Sequence, residues 1–169
     1  MKKLLFIAVI TIAGLGKVNA QTSFGAIGGY HNLSVKAKGG GISASVDGSG
    51  FFAGLFAEFK ISETFKVQPE FQFTTATNDG DAAELLLLPI MAKYYIEGKF
   101  NLQAGPQFDY SLNDEEFGVG LGFGAGYDFS ENFFASARYV VGLTNKLDDA
   151  PSGVSVTLNT LQVGIGYRF

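Results

Sequence analysis

Leu161-Gln162-Val163-Gly164-Ile165-Gly166-Tyr167-Arg168-Phe169 closes the chain, and its reading decides the fold. Apolar residues alternate strictly with polar or tiny ones, up to a terminal aromatic. Period two marks a strand with one apolar face. A strand at a chain end frays unless neighbours hold it on both sides. Its apolar face must meet either a protein core or, in a barrel that crosses a bilayer, lipid.

Working back from that strand, the same alternation recurs in seven further stretches: about 23–33, 51–61, 65–74, 84–96, 100–110, 117–129 and 133–144, with the last running from about 154. The clearest sets Phe65, Val67, Pro69, Phe71 and Phe73 against Lys66, Gln68, Glu70, Gln72 and Thr74. Pro69 removes a ladder donor, which points to an edge or a bulge there. The segment 36–50 still alternates at Ile42, Ala44 and Val46, so the first hairpin is expected to run on beyond the main sheet. Stretch six carries Gly118, Gly120, Gly122, Gly124 and Gly126 on one face, and period-two glycines are not the G-x-G-x-x-G of a nucleotide loop.

Every connection suits an antiparallel neighbour, so eight strands make an up-and-down meander that can close. An eight-stranded barrel has a lumen just wide enough for its own side chains. The face opposite the apolar one carries Glu58, Lys60, Lys66, Glu70, Lys93, Asp109, Asp128, Arg138 and Arg168, with Gln68, Gln72, Gln103, Gln107 and Gln162. Burying so many unpaired ions beneath a hydrophobic layer costs several kcal/mol each, so this set belongs in a polar, side-chain-filled lumen with the apolar face turned to lipid. Arg138 is expected to fill space beside the glycines with Gln103 and Gln107, pairing with Asp109, Asp128 or Glu70. Phe59, Phe65, Tyr94, Phe100, Phe129, Phe133, Tyr167 and Phe169 gather near the short turns, as an interfacial girdle does. The three short turns, 62–64, 97–99 and 130–132, share a side with both termini, the periplasmic side of an outer-membrane barrel. The competing soluble fold is a lipocalin-like exported ligand binder, with the apolar face inward.

Residues 1–20 read as a signal peptide: Lys2 and Lys3, an apolar run from Leu4 to Leu15, and Val18-Asn19-Ala20 as the cleavage site. The barrel domain is then 21–169. Without Lys2, Lys3 and Lys17, nine basic residues face sixteen acidic ones, which argues against nucleic acid as a partner. The absence of cysteine removes disulfides and thiolate metal sites.

Chemistry has few carriers. His31 is the only histidine, with Ser34 close in sequence, and a lone histidine at a strand end reads as an interface or loop residue. Asp79, Asp81 and Glu84, the run Asp114 to Glu116, and Asp148-Asp149 make the loops acidic, as solvated loop tips commonly are. No catalytic, cofactor-binding or metal residue is assigned.

The Asn19-Ala20 end of the leader before Gln21, the segment Leu88-Pro89-Ile90-Met91-Ala92-Lys93-Tyr94-Tyr95 followed by Ala104-Gly105-Pro106, and the closing Gly166-Tyr167-Arg168-Phe169 resemble the outer-membrane barrel domain of the Bacteroidetes "porin family" proteins. The resemblance implies an eight-stranded outer-membrane barrel without agreed catalytic residues. It also implies that Tyr167 and Phe169 form a terminal signal similar to that read by the barrel-assembly machinery. The expected partners are outer-membrane lipid and that machinery, the expected state is a monomer, and the expected role is structural or in surface interaction. A narrow pore for ions or small solutes is the alternative.

Overall fold

A computed structural model describes residues 22–39, 42–78, 81–113, 115–145 and 155–169. The signal-peptide segment and the acidic residues Asp79, Asp114, Asp148 and Asp149 lie outside the described residues.

Eight antiparallel strands close into one barrel in sequence order: β1 (Thr22–Gly39), β2 (Ile42–Lys60), β3 (Phe65–Asn78), β4 (Asp81–Tyr95), β5 (Phe100–Ser111), β6 (Phe117–Asp128), β7 (Phe133–Gly142) and β8 (Ser155–Arg168). The closing strand pairs with β7 from Phe133↔Tyr167 and with β1 from Gly25↔Arg168 to Lys38↔Ser155. Phe169 adds a backbone bond from its N–H to the Phe24 carbonyl, 2.9 Å. The last strand thus has a partner on each side, and closure leaves the sheet no free edge.

The first hairpin runs unbroken to Gly39↔Ile42, as its alternation predicts. It makes β1 and β2 the longest strands, at 18 and 19 residues. One end of the barrel therefore carries the short turns, the start of β1 and the end of β8, and the other carries the long hairpins.

Three prolines, Pro69, Pro89 and Pro106, sit inside this closed sheet, so Pro69 marks neither the edge nor the bulge that the sequence points to. The β2–β3 ladder skips from Phe56↔Glu70 to Phe59↔Val67 beside Pro69. The β3–β4 ladder skips from Pro69↔Ile90 to Gln72↔Leu87 beside Pro89, and β4–β5 from Pro89↔Gln107 to Ala92↔Ala104 beside Pro106. Register is the same on both sides of each gap, so no residue is inserted. Each proline lacks an N–H toward one neighbour only, and the ladder on its other side continues through it.

The outward face is apolar along every strand, with Phe24, Leu55, Phe71, Leu102, Phe123 and Ile165 all exposed. The rings near the short turns pack on one another, Phe133 tilted against Tyr167 at 4.8 Å and Tyr167 edge-on to Phe169 at 5.8 Å between centroids.

The interior is mixed rather than uniformly polar. Ile27, Phe52, Phe56 and Phe134 form one buried apolar cluster, and Leu33, Ala76, Leu85 and Leu87 another. The first cluster exists because β1 and β8 carry inward glycines. A β-carbon at Gly25 would overlap the Phe56 ring, one at Gly164 would come 2.7 Å from Phe52 Cζ, and one at Gly166 would overlap Phe134. Tiny residues on the closing strands thus admit large rings from β2 and β7.

Candidate functional site

The lumen near the short turns is organised around two carboxylates. Glu58, from β2, is almost fully buried and faces three cations. Lys66 Nζ donates to its Oε1 at 2.8 Å and Lys93 Nζ to its Oε2 at 3.2 Å. Arg168 reaches it from the last strand, Nε to Oε1 at 3.1 Å and Nη2 to Oε2 at 3.3 Å. The same guanidinium contacts Asp128 Oδ1 at 3.1 Å and the Glu131 carbonyl at 3.1 Å, while Tyr95 donates to Asp128 Oδ2 at 3.1 Å. The Phe134 ring offers a face to two of the cations, with Lys93 Nζ 4.4 Å and Arg168 4.6 Å from its centroid. Cations shared among carboxylates and a π-face need less water to satisfy them.

Glu70, from β3, is the second centre. Gln68 donates to its Oε1 at 2.7 Å, Gln72 donates to its other oxygen, and Arg138 Nη2 lies 2.6 Å from Oε1. Of the three carboxylates the sequence left open for Arg138, the structure pairs it with Glu70. Arg138 Nε also donates to Gln103 at 2.7 Å, and Gln103 donates to Asn101 at 2.8 Å. Lys93, bonded to Gln68 as well as Glu58, links the two centres. Gln162 on β8 donates to Gln72 at 2.8 Å, tying in the closing strand.

The inward glycines of β6 make the predicted room, with one substitution of occupants. A β-carbon at Gly124 would meet Arg138 Cγ at 2.8 Å, and one at Gly126 would meet Gln103 Nε2 at 2.6 Å. Above Gly120 and Gly122 lie Val140 and Met91 instead of a glutamine. Gln107 is buried and pairs with Gly120 across the ladder.

Two further residues of the charged set stand apart. Asp109 is buried nearer the hairpin end, opposite Leu87 and Gly118. Lys60, read as luminal, has its ammonium at the rim, 2.8 Å from Glu63 in the first short turn. Its strand ends there, and nothing confines a long side chain beyond the last ladder pair.

His31 is not a strand-end or interface residue. Because β1 extends to Gly39, His31 falls in mid-strand, fully buried, with its Nδ1 bonded to the Thr74 hydroxyl. Ser34 lies on the opposite face of β1, so the two do not meet. Among the described residues no group of three or more His, Cys, Asp or Glu is arranged to hold a metal ion.

Beyond His31 the inward face carries a second apolar cluster. Leu33, Ala76, Leu85 and Leu87 pack together inside β1, β3 and β4, with Ala83 and Leu158 against them and Asp109 buried opposite Leu87. Neither centre was fully legible in the sequence: Tyr95, Phe134 and Asn101 take part without having been singled out. Their signal was parity, since each shares a face with a charged residue two positions away or on the partner strand.

Solved structures share this architecture. Ail, the attachment invasion locus protein of Yersinia pestis, is 21% identical with a TM-score of 0.53, the match covering 87% of this chain and 98% of Ail. Neisserial surface protein A is 16% identical with a TM-score of 0.52, covering 88% and 99%. The outer membrane protein OprG from Pseudomonas aeruginosa is 14% identical with a TM-score of 0.50, covering 89% and 97%. At these identities the likeness is one of fold. No curated protein matches the chain in sequence. The outer membrane protein beta-barrel domain family matches residues 4–169, so the chain belongs to that family and is a small outer-membrane β-barrel protein.

Proposed function

We propose that the protein is a closed, non-enzymatic barrel that holds its long hairpins at the cell surface for structural or interaction roles. One observation carries this reading. The chain Glu58–Lys93–Gln68–Glu70–Arg138–Gln103 spans the lumen near the short turns, and the Leu33, Ala76, Leu85, Leu87 cluster lies farther along it. An ion crossing would have to displace paired charges and then pass the apolar cluster farther along. In this reading the luminal charges hold the strands to one another and transport nothing.

Several finer points belong to the same proposal. Short turns and both termini face the periplasm, because long hairpins in this class extend outward. Tyr167 and Phe169 serve as the assembly signal, the barrel works as a monomer, and lipid contacts its apolar face. The motifs at 88–95, 104–106 and 166–169 favour the Bacteroidetes porin-like branch of the family.

Planar-bilayer recording of purified protein tests the closed lumen. The expected outcome is no steady current. A sustained open-channel conductance would overturn the proposal in favour of a narrow pore.

A further inference from the structure

Above the leucine layer, the long-hairpin end of the lumen opens into a cavity of about 410 Å³. Its walls are Leu33 and Val35 of β1, Val46 and Gly48 of β2, Ala76 and Asn78 of β3, Ala82 and Ala83 of β4, and Asn113. The register explains the grouping: Val35 pairs with Val46, Leu33 with Gly48, and Ala76 with Ala83, so their side chains project to one face as neighbours. Leu33, Ala76, Leu85 and Leu87 form a buried apolar cluster at its base. The arrangement reverses the usual order, in which charge faces bulk water and apolar side chains lie deeper. Here Val46, on the inward face, leaves 58% of its surface exposed at the mouth.

Concave apolar surface at an aqueous mouth is unfavourable until something covers it. A dry cavity of about 150 Å³ already accepts benzene, and ligand pockets begin at about 300 Å³, so this volume suits a small molecule. Among the described residues that line it none is charged, and the polar side chains are the amides of Asn78 and Asn113. Asn113 is already engaged through its Oδ1, which accepts the Glu84 N–H at 2.9 Å. A carboxylate or ammonium placed here would give up hydration and find no counter-charge among the described lining residues. The surplus of acidic over basic residues further disfavours an anion.

We infer that this cavity is a binding site for a small, neutral, predominantly apolar molecule with one hydrogen-bonding end. The apolar body lies on Leu33, Val35, Val46 and Ala76, and the polar end meets the asparagine amides at the mouth. The inference goes beyond the closed-barrel proposal. It rests on that proposal only for which side of the membrane the ligand comes from, and binding to purified protein does not depend on orientation.

The probe is a diazirine derivative of octanol, with the full barrel in lipid nanodiscs open on both sides. After photolysis, adducts are mapped by peptide mass spectrometry. The expected result is saturable labelling of the peptides carrying Leu33, Val35 and Val46, displaced by 1-octanol about tenfold more effectively than by octanoate. Adducts on the lipid-facing strands would be unsaturable and serve as the internal control. Val46→Trp, which fills the mouth from an exposed position, should abolish the saturable fraction. Val46→Lys should shift the preference from octanol toward octanoate, and heat-modifiable migration checks that both variants fold. Labelling confined to the lipid-facing surface overturns the inference, as does equal displacement by octanoate or a saturable fraction unchanged in both variants. A conducting lumen would overturn the closed-barrel proposal and leave this test standing.

Discussion

At the short-turn end of the lumen Glu58 holds Lys66, Lys93 and Arg168 at 2.8 to 3.2 Å, and at the hairpin end Leu33, Ala76, Leu85 and Leu87 meet with no ion among them. Both regions fill the same narrow tube, and both exclude water. They do so by different physics. In the first, each charge is stabilised by the opposite charges around it, so the layer depends on the whole set being present. In the second, each side chain contributes its own transfer and packing energy, so losses are local. Cooperative satisfaction at one end and separable burial at the other is the difference that mutations can expose.

Glu58→Gln should be the most damaging change. It leaves three cations near one another with Asp128 as the remaining carboxylate of that layer, and breaking a buried pair costs about 3–5 kcal/mol. Urea unfolding of the vesicle-inserted protein would measure it. If the layer is cooperative, adding Lys93→Met should restore part of the loss, because it removes a charge that the first change orphaned. Strict additivity of the two variants would break the comparison from the charged side.

Leu87→Ala tests the other end. Leu87 is fully buried in the leucine layer, and such truncations cost about 2–5 kcal/mol. Combined with Ala83→Gly, an adjoining position, the effect should stay nearly additive. Strong coupling there would mean that the apolar layer also behaves as a unit.

Which parts of this contrast could be read in advance follows from the same physics. The outward face was legible because lipid contact imposes period two without exception, as in Phe71 and Phe73 or Val163 and Ile165. The charged interior was legible because Glu58, Lys66, Glu70, Arg138 and Arg168 all fall on the complementary parity. The apolar interior was hidden. Phe52 and Phe56 each follow an outward apolar residue, Phe51 and Leu55, so no polarity step reveals which one turns inward. The same holds for Phe133 and Phe134 and for the run from Leu85 to Leu88. His31 was misread because the strand was ended too early, and strand length is what distinguishes a rim position from the middle. The missing ladder donor at Pro69 was legible, but neither edge nor bulge follows from it, because edge avoidance is a rule for open sheets.

Gly166→Ala probes the apolar ring set within the charged end, where Phe134 lies against the closing strand beneath two cations. The added β-carbon would overlap that ring, and overpacking of this kind costs about 1–3 kcal/mol. Phe134→Leu on the same background should recover part of the loss by opening space, although it removes the π-face from Lys93 and Arg168. Failure to recover would show that the ring matters more to the cations than to the packing.

The smallest effect belongs to the charge pair at the rim, Lys60 with Glu63. Glu63 is exposed in the first short turn, where the hydrogen bond and then the charge of Lys60 hold its carboxyl below the usual value. A carboxylate depressed in the folded state contributes stability above its unfolded pKa and loses it as pH falls through the folded value. Solvent screens this pair almost completely, so Glu63→Gln should leave the unfolding midpoint unchanged at neutral pH. Acid-unfolding curves of the variant and the native protein should overlay, since the groups that respond to acid are then those inside. A curve displaced to higher pH would show that the rim pair helps to hold the ends of β2 and β3. The charged layer would then extend past Lys66 to the turn itself.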